Sequence, residues 1–381
     1  MKIGILCYPT FGGSGIVATE LGMSLAQKGY EVHFISNNLP ARLDITHPNI
    51  FFHKVNVQPY PLFQYQPYDI ALSSMIYNVV KRHWLDLLHA HYAVPYAYAA
   101  FTAKQMLKEE KKDVPLVTTL HGTDITLVGQ HPSYKSAVEF SINKSDSITA
   151  VSESLKAETL QIFSIKKNIT VIHNFTDNRI SDFSISACER KRFATAEEKI
   201  LIHVSNLRPV KRIDKVLEIF RNVNKKLPAT LIIIGEGPDT EKINQFLEEN
   251  PKLINKIHLL GKVTDPSKIL YVADLFLLPS EQESFGLAAL EAMAASTPIV
   301  SSNVGGIPEI NLQGVTGYLV EVDNVEEMSN YAIKILQDED LLKKMKQKAK
   351  DHALNFDIQK IIPLYENLYK ETLDNFYKPV K

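Results

Sequence analysis

Two series of short apolar runs, each alternating with helical stretches, divide this 381-residue chain. Alternation of this kind builds a parallel sheet covered by helices, because consecutive parallel strands must be joined by a crossover. The first series has runs at 2–8, 30–36, 49–57, 85–91, 114–120, 145–151 and 168–174. The second has runs at 199–205, 229–235, 256–261, 274–280 and 298–302. Between them the stretch 176–199 is polar and lacks a core stripe, which marks a linker. The expectation is an α/β protein of two consecutive domains, 1–175 and 200–355. A last helix, 356–381, carries Ile361, Ile362, Leu364, Leu368 and Leu373 and is expected to return to the first domain. The length suits this, since single cores stop growing near ~250–300 residues.

Bulk properties narrow the function. With 42 basic and 43 acidic residues the net charge is −1, which gives no electrostatic footprint for nucleic acid. No apolar run approaches the ~20 residues that span a bilayer. The basic stretch "LLKKMKQKAKDHAL" reads as a solvated helix face, so no stable membrane association is expected. The two cysteines, Cys7 and Cys188, fall in a strand and in the linker and make no disulfide framework. The N-terminus is interrupted too early by Pro9 and glycines for a signal peptide, so a cytoplasmic location is expected. Oligomeric state is not legible, and a homo-oligomer is compatible with everything above.

The stretch "EQESFGLAALEAM" at 281–293 carries the most chemistry. It follows the apolar run "DLFLLPS" and leads into strong helix formers, so Ser284, Phe285 and Gly286 lie where a strand turns into a helix. Such a corner gathers unpaired backbone N–H groups and the positive end of a helix dipole, and suits an anion. A second corner, "SNLRPVKR", places Arg208, Lys211 and Arg212 just before a helix starting near Ile213. Three cations there oppose the dipole at a few tenths to ~1 kcal/mol each, an arrangement that fits an anion of two or more charges. Together the corners would clamp a diphosphate. Glu283 and Glu291 would repel phosphate and suit hydroxyls instead, one on a sugar and one on a ribose. The ligand read from these residues is a nucleotide diphospho-sugar.

In the first domain, "PTFGGSGIVATEL" places a glycine-rich turn between the first strand and the first helix, which is expected from about Gly15 to Lys28. It is neither G-x-G-x-x-G nor a P-loop, and Ile16 rules out a nucleophile elbow around Ser14. What remains is a tight loop offering the amides around Gly13 and the Ser14 hydroxyl to an anionic or polyhydroxy ligand. In "TTLHGTDIT", strand alternation puts Thr119 and His121 on one side, at the carboxyl end where ligands bind in open parallel sheets. Tyr92 follows the run 85–91, and Asn174 ends the run 168–174. "HAHY" at 89–92 lacks a carboxylate or cysteine at ligand spacing, and Asp338-Glu339-Asp340 lies in a charged joint between helices, so no metal is expected.

Glu283 and Glu291 with seven residues between them, the Ser-Phe-Gly turn and the Lys211 loop resemble the retaining glycosyltransferases of family 4. The resemblance implies the GT-B fold, two Rossmann-like domains facing across a cleft. It implies that Glu283 contacts the donor sugar, Glu291 the ribose, and the amides of Phe285, Gly286 and Leu287 the phosphates, with Ser284 in the same turn. The family's usual arginine is displaced by two residues here, so its role passes to Arg208 less directly than the lysine's passes to Lys211. "CYPTFGGSGIVATELG", "HAHYAVPYA", "TTLHGTDITLVG", "VEFSINKSD" and "SNLRPVKR" further resemble a narrower group, which joins N-acetylglucosamine to L-malate at the start of bacillithiol biosynthesis. That implies UDP-N-acetylglucosamine as donor, L-malate as acceptor, an α-configured product and no cofactor. The donor site would then hold Gly13, Arg208, Lys211, Val263, Glu283, Ser284, Phe285, Gly286, Leu287 and Glu291. The acceptor site would hold Ser14, Tyr92, Thr119, His121, Asn174 and Arg208, with His121, Lys211 and Glu283 serving catalysis. A family 4 enzyme with a lipid or saccharide acceptor, a UDP-sugar epimerase and a non-catalytic nucleotide-sugar sensor stay open as alternatives. Membrane binding, donor conversion without acceptor, and donor binding without turnover would mark these in turn.

Overall fold

The computed structural model describes residues 1–59, 61–62, 64–177 and 187–378. Residues 178–186 of the expected linker, and the side chain of Cys188, lie outside the described residues. The chain divides into two compact units, Met1–Asn174 with Gln359–Lys381, and Phe175–Ile358.

The first unit holds seven parallel strands: β1 (Lys2–Leu6), β2 (Glu31–Ser36), β3 (Ile50–Lys54), β4 (Leu87–His91), β5 (Leu116–Leu120), β6 (Ser147–Ala150) and β7 (Ile169–Val171). Their spatial order is β3-β2-β1-β4-β5-β6-β7. The second unit holds β8 (Lys199–Val204), β9 (Ala229–Ile234), β10 (Ile257–Leu259), β11 (Leu275–Leu278), β12 (Ile299–Ser302) and β13 (Gly317–Val320), ordered β10-β9-β8-β11-β12-β13. All twelve apolar runs became strands, and the recorded ladders are parallel. Helices cover both faces of such sheets, so the central strands are apolar on both sides; all six residues of β9 are buried.

The thirteenth strand was not anticipated. Gly317–Val320 is short and begins with a glycine, and its partner β12 aligns Ser301 with Leu319. The closeness of that pairing explains Gly317: a Cβ there would lie 1.8 Å from the Ile299 carbonyl oxygen. The C-terminal helix, Ile358–Phe376, belongs from Gln359 onward to the first unit, with Ile361, Ile362, Tyr365, Leu368 and Tyr369 buried. Tyr369 Oη sits 2.7 Å from His89 Nδ1 on β4, which anchors this helix to the first sheet.

Both sheets reverse strand order once, between β1 and β4 and between β8 and β11. In open parallel sheets the crevice outside the carboxyl ends at such a reversal is where ligands bind.

Candidate active site

In the second unit, the reversal brings together the loops after β8 and β11. A short turn of helix, Pro209–Lys211, precedes the helix Ile213–Asn224, and a longer loop joins β11 to the helix Leu287–Ala294. Glu281 N–H donates to the Val210 carbonyl at 2.9 Å, locking the two loops together. Across this junction the Lys211 ammonium forms an ion pair with Glu283, and Ser280 Oγ lies 3.3 Å from the same carboxylate oxygen. Both ions are largely shielded, with side chains 16% and 12% exposed. An ion pair so placed is strong only because each partner is satisfied, and removing one leaves the other stranded.

The three cations expected to act together separate into different environments. Arg212 stands at a left-handed backbone position and is surrounded by Asp214, Glu281 and Asp323, the last two at 2.6 Å. Those carboxylates hold its guanidinium above its ordinary range, so Arg212 braces the loop and is not spare positive charge facing an anion. Arg208 differs: its Nε is buried without a hydrogen-bond partner among the described residues.

The helix corner after Glu283 has the geometry that a strand-to-helix anion site requires. Gly286, the N-cap of Leu287–Ala294, adopts φ +88°, and a Cβ there would stand 2.5 Å from Ile307 Cδ1. Phe285 is buried and meets Phe356 edge-on at 5.8 Å, fixing the turn from below. Among the described residues no side chain caps the helix, whose first-turn N–H groups point out of its start. Leu287 and Glu291 are four apart on the partly exposed face, while Ala289, Leu290, Ala292 and Met293 turn inward. Ser284 is half-buried at the start of the turn.

Two glycine pairs that frame these loops were not singled out from the sequence. Gly306 N–H donates to the Glu283 carbonyl at 2.9 Å, and a Cβ on Gly305 would sit 1.9 Å from that same oxygen. A Cβ on Gly235 would lie 1.7 Å from the Ser205 carbonyl oxygen, and one on Gly237 2.4 Å from that of Leu207. The signal was present as "NVGG" after β12 and "GEG" after β9, glycines directly following strands where backbones must approach. Val263 is half-buried in the loop after β10, whose Gly261 carbonyl accepts from Gly235 N–H at 2.8 Å. Below them, His203 Nδ1 donates to the Leu277 carbonyl and its Nε2 accepts from Ser205 Oγ, and burial pushes the ring down to about 4.

In the first unit the loops after β1, β4 and β5 meet at the other reversal. The first helix runs Gly13–Gln27, two residues earlier than expected, because Gly15 and Ile16 N–H groups bond to the Gly12 carbonyl. Gly13 and Ser14 therefore occupy an uncapped first turn. Gly15 is needed there, since a Cβ would lie 2.4 Å from the Thr10 carbonyl oxygen. Tyr92 follows β4 with φ +94°, a strained position for a bulky residue, and its N–H bonds to the Thr119 carbonyl at 2.9 Å.

Behind Tyr92 lies a chain of buried imidazoles. His91 Nδ1 and His121 Nε2 are 2.9 Å apart, and His89 joins Tyr369 to Thr119, each contact at 2.7 Å. Burial pushes His89 and His121 down to about 3 and His91 well down, so all three rings are neutral at pH 7. Asp124 accepts from the Ala93 and Gly122 N–H groups at 3.0 Å and from His121 N–H at 3.3 Å, yet burial raises it to about 6. It ties the β4 and β5 loops together and was legible only as the acidic residue of "HGTD".

Thr119 requires a correction. It is fully buried, and its hydroxyl lies between His89 Nε2 and Thr149 Oγ1, the latter at 2.6 Å, so it supports the network and presents nothing to an acceptor. Asn174 is buried with Oδ1 unpartnered among the described residues, as is Nε2 of His91. Among the described residues, neither loop cluster brings three ligand atoms together closely enough to hold one metal ion.

The chain matches two family models that together span most of it: Glycosyltransferase Family 4 over residues 11–179 and Glycosyl transferases group 1 over 187–352. It is 44% identical over 375 residues to the N-acetyl-alpha-D-glucosaminyl L-malate synthase of Bacillus anthracis, covering 98% of this chain and 97% of that protein. The chain is a family 4 glycosyltransferase. Solved structures agree on the fold of this glycosyltransferase. Anabaena HepE in complex with UDP and glucose superposes with a TM-score of 0.82 at 21% identity, covering 97% of this chain and 99% of that one. The sucrose-phosphate synthase of Thermosynechococcus elongatus gives 0.81 at 18%, covering 98% and 100%. The glycosyltransferase thus has the GT-B architecture, with one sheet of seven strands and one of six. None of its described helices is long and apolar enough to cross a membrane.

Proposed function

We propose that the chain transfers N-acetylglucosamine from UDP-N-acetylglucosamine to the hydroxyl of L-malate with retention of configuration, the first step of bacillithiol biosynthesis. The observation that carries this reading is the 44% identity, over 98% of the chain, to a protein that bears that activity in its name.

The geometry of each unit supports a division of labour. In the second unit the uncapped helix turn at Phe285, Gly286 and Leu287 receives the diphosphate, with Lys211 and Arg208 adding positive charge. Glu283, already held by Lys211 and Ser280, accepts hydrogen bonds from the donor sugar, and Glu291 accepts them from the ribose. The backbone at Val263 meets the base. In the first unit the amides of Gly13 and Ser14 face anionic groups, and Tyr92, His121 and Asn174 supply neutral hydrogen-bonding groups for the acceptor and the sugar.

The reaction needs positioning and charge stabilisation more than a protein nucleophile. The bond from the anomeric carbon to the diphosphate oxygen breaks, and the malate hydroxyl oxygen bonds to that carbon on the same face. The malate hydroxyl proton passes to the departing diphosphate oxygen. Lys211 and Arg208 offset the charge that grows there. His121, neutral at pH 7, orients the sugar by hydrogen bonding and carries no charge of its own.

The test is UDP release from UDP-N-acetylglucosamine with and without L-malate, in buffer containing EDTA. Malate-dependent release, with a product of the summed mass less UDP, is expected. Donor binding without malate-dependent release would discard the acceptor, and screening saccharide and lipid acceptors would then follow.

A further inference from the structure

Three histidines far apart in sequence converge at the edge of the first sheet. His33 lies on β2, His53 on the edge strand β3, and His83 in the last turn of the helix Tyr68–His83. One ring nitrogen from each lies within 4.8 Å of the others. His33 is fully buried, and the other two are partly so. Strand alternation aims Glu31, His33, Phe51 and His53 to one face of the β2–β3 pair, where the register sets His33 beside Phe51 and Ile35 beside His53. The cluster is on the β2–β3 side of β1, away from the reversal at β1 and β4, and nothing in the transfer reaction uses it.

We propose that His33, His53 and His83 form a three-imidazole site for a borderline divalent transition-metal ion, with a fourth position open to water. The hydrogen bonds define which lone pairs are offered. Glu31 Oε1 lies 2.9 Å from His33 Nε2, and a carboxylate can only accept, so Nε2 carries the proton. His33 Nδ1 is therefore a bare lone pair, and it faces His53 Nε2 at 2.8 Å. A carboxylate behind a metal-binding imidazole, fixing its tautomer and orientation, is the usual outer partner of such ligands. Lys2 Nζ, 3.1 Å from the same Glu31 oxygen, holds that carboxylate in place in turn.

The spacing suits the ion. Metal–nitrogen bonds of about 2.0–2.1 Å at tetrahedral angles put ligand nitrogens about 3.3 Å apart. Opening the His33–His53 contact by about half an ångström, with the proton between them lost and His53 protonated on its other nitrogen, makes that room. His83 closes the triad, its ring centroid 4.6 Å from that of His33 and 5.1 Å from that of His53. Imidazole donors select zinc, cobalt, nickel or copper over magnesium or calcium. The ion would staple the end of the helix to two strands. The competing account is aromatic packing, since Phe51 stacks on His33 at 4.8 Å.

The test uses untagged full-length protein, stripped with chelator, dialysed and titrated with Co(II) and Zn(II). One ion per chain is expected, with Co(II) d–d absorption of a four- or five-coordinate site and a rise in Tm on loading, as for any ligand that binds only the folded state. His53→Ala and His83→Ala should each weaken binding at least tenfold, and Glu31→Gln roughly 10- to 100-fold, the range seen for outer partners. The partly exposed His83→Gln serves as a second variant should His53→Ala fold poorly. Transfer activity should be the same with chelator or with one equivalent of metal. Absence of stoichiometric binding, or a folded His83→Gln variant that binds as tightly as the parent, would overturn the site and leave the cluster as packing.

Discussion

At the strand ends of the second unit, Lys211 and Glu283 face each other as ions with 16% and 12% of their side chains exposed, whereas His89 and His91 of the first unit are closed off completely. The difference teaches how each cluster can meet a ligand. A pair that still reaches solvent can exchange one partner for another, which suits a diphosphate that arrives and leaves. Fully buried imidazoles lose their charge to desolvation and act as fixed dipoles, which suits positioning of neutral hydroxyls. Asp124 sits on the same side of that divide: burial pushes it up to about 6, although it accepts several backbone N–H groups.

The severest break in this comparison is Lys211→Ala. Loss of the ammonium should lower kcat roughly 100- to 1,000-fold, the usual effect of removing one donor to developing charge. Single-turnover UDP release measures it, and near-normal turnover would end the assignment of charge stabilisation to Lys211.

Acidification should separate the two units next. A histidine whose folded pKa is depressed contributes stability that is present above its unfolded value of 6.5 and is lost as pH falls toward the folded one. His89 and His121, at about 3, would each lose roughly 2 kcal/mol by pH 5. His91 acts in the same direction, and His203, at about 4, is the second unit's counterpart. Asp124 works the opposite way: its pKa is raised from 3.8 to about 6, so its contribution grows as pH falls through that window and offsets one histidine in part. Hydrogen exchange at pH 7 and pH 5 should therefore show larger loss of protection in β4 and β5 than in β8 and β11. Equal loss in both would remove the contrast.

Glu291→Ala sharpens the comparison within the second unit. Its place on the partly exposed face of the helix, with the proposed ribose role, predicts a KM for the nucleotide sugar raised about tenfold with kcat little changed, a loss of about 1.4 kcal/mol of binding. The smallest effect belongs to Arg212→Gln. Because Asp214, Glu281 and Asp323 already occupy that guanidinium, kcat should change less than about threefold while Tm falls by a few degrees. A collapse of kcat with unchanged Tm would return Arg212 to the phosphate.

Much of the helix corner beside Glu283 was legible because its signals are local. A strand running into Ser-Phe-Gly and then into helix formers has one backbone solution, and Gly286 at φ +88° realises it. The strand ends of the first unit were harder to read. Strand alternation groups Thr119 with His121, yet β5 ends at Leu120: Thr119 is wholly buried between His89 and Thr149, while His121 lies beyond the strand end and keeps 9% exposure. Among the cations, no sequence rule distinguishes Arg208 from Arg212. The carboxylates that claim Arg212 include Glu281 and Asp323, far along the chain.

Apolar periodicity and turn chemistry, which act over a few residues, were enough by themselves for two parallel sheets, twelve of thirteen strands and the helix corner beside Glu283. Tertiary structure alone decided which groups are charged, which are neutral and which are paired. Those properties depend on burial and on partners from other strands, as with His33, His53 and His83, and a linear pattern carries no record of either.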